Sequence, residues 1–115
     1  MIGYGHSLDQ IVDGAIHLKQ VHKADLQFGD LVLITTRNSV YSAYVLDNSL
    51  YLVSGGWFDR KGLSPKKTTI TGCTWGGSII KMDILAACGL HLEFGNRVVT
   101  TTVKQVCVTR VSSHN

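Results

Sequence analysis

The spacing of apolar positions changes period near residue 26. Between Ser7 and Lys23, Leu8, Ile11, Val12, Ala15 and Ile16 recur at three- and four-residue intervals, the stripe of an amphipathic helix. Ser7 with Gln10 fits a capping box, in which each side chain satisfies a free amide at the helix start. Asp9 stands at the positive end of such a helix, and Lys19, His22 and Lys23 stand toward the negative end. Gly14 weakens the middle by about 1 kcal/mol relative to alanine. The pattern predicts a helix over 7–23 whose narrow apolar stripe covers a sheet or a barrel opening.

From Asp30 onward the period is that of strands. Leu31 to Thr36 is followed by turn residues Arg37-Asn38, then Ser39 to Leu46. Asp47-Asn48 predicts a two-residue hairpin turn, and Ser49 to Ser54 completes a meander. Thr68 to Trp75 and Ser78 to Leu85 flank Gly76-Gly77, which supplies positive φ angles. Ala87-Cys88-Gly89 reads as a hairpin loop with Gly89 left-handed, leading into Leu90 to Phe94. The last strand is expected from Arg97 to about Val111. Val99 and Val103 share one parity there and Val106 and Val108 the other, which calls for a bulge near Lys104.

Residues 26–36, reading Leu-Gln-Phe-Gly-Asp-Leu-Val-Leu-Ile-Thr-Thr, are echoed 66 positions later by residues 92–102, Leu-Glu-Phe-Gly-Asn-Arg-Val-Val-Thr-Thr-Thr. Either turn grammar is reused, or two half-barrels descend from a duplication. About seven antiparallel strands in one small domain must manage their edges, by closure or by pairing with another subunit. The expected fold is mainly β: a single domain over 1–115, with a small, partly open barrel over 26–111 and the N-terminal helix packed against it. A two-sheet sandwich is the second reading. Phe28-Gly29-Asp30-Leu31-Val32 resembles the opening strand of SH3-like small barrels, a likeness that carries no function across.

Composition narrows this picture. Hydrophobic residues make up 44% of the chain and charged residues 17%, a balance that argues against disorder. No apolar run approaches the roughly twenty residues of a membrane helix. Met1 to Leu8 lacks a basic stretch before an apolar core, so no secretory signal is expected. Cys73, Cys88 and Cys107 are odd in number and unpaired in spacing, which predicts reduced thiols in a cytoplasmic protein.

Charge adds a location. The segment Ser54 to Thr69 holds Arg60, Lys61, Lys66 and Lys67 against Asp59, and this window carries the whole net charge of +3. Trp57 and Phe58 offer faces for stacking beside these cations, and Gly55 and Gly56 permit close backbone approach. Stacking plus cations is what single-stranded nucleic acid requires, and it also suits an anionic or aromatic small ligand or an acidic protein. The plainer reading is a long connection whose aromatics fold back on the core while its lysines discourage edge pairing.

Gly72 to Ser78 places Trp75 beside Cys73 in a Gly-rich turn. It is neither a nucleophile elbow nor a phosphate loop, because Ile80 stands where the elbow needs Gly and no Gly-Lys-Ser/Thr follows. A turn centred on Cys88 would set Asp83 across from Glu93 with His91 beside them, two carboxylates and an imidazole able to hold a metal or share a proton. A slipped register would disperse them. Otherwise no metal motif, and no cofactor motif, is present.

The expected function is therefore a non-enzymatic binding module for an anionic or aromatic small ligand or a protein partner. Its surface would be Trp57, Phe58, Arg60, Lys61, Lys66, Lys67 and Trp75. Homodimerisation is expected, and association with a membrane is not. The alternatives are a single-stranded nucleic-acid binder using residues 54–69, ranked lower at a net charge of only +3, and a small enzyme using Asp83, His91 and Glu93.

Overall fold

The computed structural model of the chain describes residues 11–12, 15–46, 50–75 and 78–110. Among them, seven strands form the largest sheet: β1 (Ile11–Val12), β2 (Ala15–Leu18), β4 (Leu31–Thr36), β5 (Val40–Val45), β6 (Tyr51–Gly55), β7 (Lys66–Thr68) and β12 (Val103–Thr109). Their order across the sheet is β1-β2-β12-β4-β5-β6-β7. A second sheet pairs β3 (Gln20–His22) with β10 (Ile84–Ala87). A third sets β8 (Ile70–Trp75) between β9 (Ser78–Lys81) and β11 (His91–Phe94). All pairings are antiparallel.

Alternation builds the core, because successive side chains on a strand face opposite sides. Val32 and Ile34 on β4, Tyr41, Ala43 and Val45 on β5, and Tyr51 and Val53 on β6 all point inward. Val103, Val106 and Val108 on β12 continue this layer, while Val21, Ile70, Leu85, Leu92 and Phe94 from the two smaller sheets close over it. Arg37-Asn38 forms the expected turn, which Thr36 N–H closes on the Ser39 carbonyl at 2.8 Å.

The N-terminal helix is not seen among the described residues. Residues 15–18 and 20–22 are strands, and Ile16 and Leu18 pair with Val108 and Val106. β-Branched Ile11, Val12, Ile16 and Val21 suit a pleated surface as well as a helical stripe, and cross-strand partners some ninety residues away decide between the two. Ser7 to Gln10 and Gly14, on which the capping argument rests, lie outside the described residues, as do the turns Asp47-Asn48 and Gly76-Gly77.

Among the described residues no closed barrel is found, because the strands divide among three sheets. The chain passes between sheets twice with one intervening residue, at Lys19 from β2 to β3 and at Thr69 from β7 to β8. The bulge expected near Lys104 is present: the register of β12 against β4 slips between Val103 and Gln105. The long strand from Arg97 is shorter than expected. Residues 97–100 instead fold back on β11, with Arg97 N–H on the Phe94 carbonyl at 2.9 Å and Thr100 N–H on the Leu92 carbonyl at 2.9 Å.

The two echoed segments consequently differ. Leu31–Thr36 is a regular central strand, whereas its counterpart has a single bridge, Glu93 to Val99. Phe94 is fully buried, but Phe28 is 65% exposed. Asp30 is buried against Arg110, with Oδ2 2.7 Å from Nη1, while Asn96 lies on the surface.

Candidate functional site

The basic segment is built around a single helical turn, α1 (Gly56–Arg60). Gly55, with φ of +99°, brings the backbone against the Val40 carbonyl, and Gly56 packs on the Tyr41 ring. A Cβ at either position would collide. The two glycines therefore admit the chain to its own core.

That entry turns the aromatics inward. Phe58 is 0% exposed, edge-on to Phe94 and Tyr41 at centroid distances of 4.9 and 6.3 Å. Trp57 is half-buried and stands edge-on to Phe58 at 5.2 Å. Phe58 cannot stack on a ligand, which corrects the expectation placed on it: burying its ring outweighs the polar character of the surrounding loop.

The cations go the other way. Arg60, Lys61, Lys66 and Lys67 are all exposed, and none has an acidic partner among the described residues. Arg60 Nη1 donates to Ser39 Oγ at 3.3 Å. Asp59, the one acid of the segment, is engaged internally, where its Oδ1 accepts from Gly55 N–H at 3.0 Å and from Ser64 Oγ–H at 2.5 Å. Lys66 and Lys67 lie on β7, the last strand of the large sheet, paired on one side only with Val53 and Leu52.

Trp75 stands apart from this segment, on β8. It is 59% exposed, with His91 the aromatic neighbour at 6.4 Å. The register that would join Asp83, His91 and Glu93 is not adopted. β11 pairs with β8, so His91 faces Thr74 and Glu93 faces Gly72, while β10 pairs with β3. Asp83 lies exposed in the bend between β9 and β10, where its carbonyl accepts from Lys23 N–H at 2.9 Å. Desolvation holds the Lys23 ammonium below its ordinary pKa. His91 is oriented by its own contact, with Nδ1 2.8 Å from the Thr100 carbonyl. Among the described residues no three His, Cys, Asp or Glu side chains converge as a metal site.

The sequence gives no notice of a further cluster. His17 on β2 and Cys107 on β12 are direct cross-strand partners. Gln105, two residues along the same strand, donates from Nε2 to His17 Nδ1 at 2.7 Å. Cys107 Sγ lies 3.1 Å from Nδ1 and 3.7 Å from Nε2. Those similar distances put the sulfur beside the ring, since a thiol in line with the Nδ1 lone pair would be a full ring width farther from Nε2. The lone pair is taken by Gln105, and burial pushes the Cys107 thiol up in pKa. The trio is thus a packed polar contact and lacks the in-line proton path that an activated nucleophile needs.

Next to it opens a groove of about 610 Å³ lined by residues 17–20 together with Cys88, Lys104 and Gln105. Cys88 is held there by its N–H on the Lys19 carbonyl at 2.8 Å and by its thiol on the Lys104 carbonyl at 3.4 Å. The bulge at Lys104 is the one signal in the sequence that bears on this place, because bulges re-aim side chains. The pairing of residues 15–18 with 106–109 had no local trace.

Comparisons of the chain with protein-family models, with curated proteins and with solved structures find no match.

Proposed function

We propose that the chain is a non-enzymatic binding module for an acidic protein segment, docked along the basic edge formed by α1 and β7. The observation that carries this reading is the set of four exposed cations, Arg60, Lys61, Lys66 and Lys67, without an acidic partner among the described residues and beside an acid already engaged within the fold. An edge strand offers unpaired backbone groups that an extended peptide can extend. Lysines on such a strand repel indiscriminate pairing, and an acidic segment is the one class of strand whose charge removes that repulsion. Single-stranded nucleic acid is the weaker reading, since it needs accessible aromatic faces and Phe58 is enclosed.

The test is an NMR titration at low salt with a poly-glutamate peptide and, separately, single-stranded oligothymidine. The peptide is expected to shift the amides of residues 60–68 and to bind about tenfold more weakly to the Lys66→Glu/Lys67→Glu variant, with affinity falling as salt screens the charges. Absence of peptide binding, or tighter binding of oligothymidine at the same residues, overturns the assignment.

A further inference from the structure

The groove beside His17 shares no lining residue with the basic edge. Its walls meet at three places where the chain leaves regular strand geometry. β2 ends and β3 begins at Lys19, the register of β12 slips at Lys104, and the Cys88-Gly89 turn after β10 is wedged between them. Gly89 N–H on the Val103 carbonyl at 2.9 Å and Val103 N–H on the Leu90 carbonyl at 2.8 Å fix that turn. The interruptions are therefore braced by hydrogen bonds, and the concavity is a preformed part of the fold.

Lys19 and Lys104 border it, Gln20 and Gln105 supply amides, and no acidic side chain lines it among the described residues. Neither lysine has an acidic partner among the described residues. Gln105 is held in place by its bond to His17. Lysine acts as a compact point charge able to hold phosphate oxygens, and Lys19 and Lys104 are the cations that border the groove among the described residues.

We propose that this groove binds a small dianion of the phosphate-monoester class, with Lys19 and Lys104 matching its charge and the glutamine amides donating to its oxygens. Two ammonium groups without a neighbouring acid balance a dianion better than a singly charged group. The open groove also leaves room for the organic portion of such a molecule.

The experiment is an NMR titration of the whole chain with glucose 6-phosphate, with glucose and succinate as controls. Saturable shifts are expected at the amides of Lys19, Gln20, Cys88 and Gln105 with the phosphate ester, none with glucose, and weaker ones with succinate. Lys19→Gln and Lys104→Gln should each weaken binding about fivefold, and the double variant should lose saturation while keeping a dispersed spectrum, since both side chains are exposed. The Lys66→Glu/Lys67→Glu variant should bind glucose 6-phosphate normally. The proposal falls if glucose 6-phosphate gives no saturable shift, if glucose or succinate does as well, if the double variant binds unchanged, or if the shifts map to residues 60–67.

Discussion

Phe58 shows how far a residue's neighbours in sequence can mislead about its neighbours in space. It follows Gly55-Gly56 and precedes Asp59, Arg60 and Lys61, a setting that reads as surface. Two close glycine contacts let the chain dive, and the ring completes an aromatic cluster with Tyr41 and Phe94. Phe58→Ala should cost about 3–5 kcal/mol by denaturant unfolding, whereas Lys61→Ala, one turn away in solvent, should stay within about 0.5 kcal/mol. A near-neutral Phe58→Ala would mean that the ring is not in the core. The exposed cations of the same segment were readable from composition alone, because a lysine without a buried partner goes to the surface wherever the chain takes it.

At the level of elements, strands announced by alternation were legible. β4, β5, β6 and β8 lie where the pattern puts them, and the bulge in β12 follows from the parity change between Val103 and Val106. What failed was pairing. Nothing near residue 15 reveals a partner at 109, and nothing near Ile84 reveals that β10 joins β3 in place of β11. The helix and the Asp83–His91–Glu93 cluster were both lost to such distant partners. A glycine also marks a close approach of backbone between β8 and the end of β9. Gly72, with φ of +147°, lies against the Lys81 carbonyl and Met82 Cα, where a Cβ has no space. Gly72→Ala should therefore destabilise by about 1–3 kcal/mol through strain and displaced backbone, read as a lowered denaturation midpoint with an unchanged slope. An unchanged midpoint would show that β8 and the β9–β10 bend are looser than described.

For the molecule as a whole, buried ionisable groups set an alkaline limit. Burial pushes the Cys73 thiol up to about 11, and the Tyr51 phenol also titrates above its ordinary value. Both are proton-bearing in the fold. Below the ordinary thiol value of 9.0 the folded and unfolded chains hold the same proton on Cys73, so its contribution is intact. Above it the unfolded chain ionises first, and stability falls as the pH rises toward about 11. The loss is up to about 3 kcal/mol from the thiol, with Tyr51 adding at the upper end. Urea unfolding at several pH values should show this decline, and Cys73→Ala should flatten its first part. A wild-type curve that is level from pH 9 to 11 would contradict the burial of both groups.

The distribution of strands among the sheets also governs what happens if the backbone is cut. Gly62 and Leu63 are exposed between α1 and β7, and a nick there separates β1–β6 from β7–β12. The first fragment then lacks β12, which sits between β2 and β4, and the second lacks β3, with which β10 pairs. Like the fingers of clasped hands, each piece fills gaps in the other. The two fragments are expected to be unstructured when isolated and to regain the circular-dichroism spectrum of the intact chain when mixed in equal amounts, with a midpoint that rises with concentration as mass action requires.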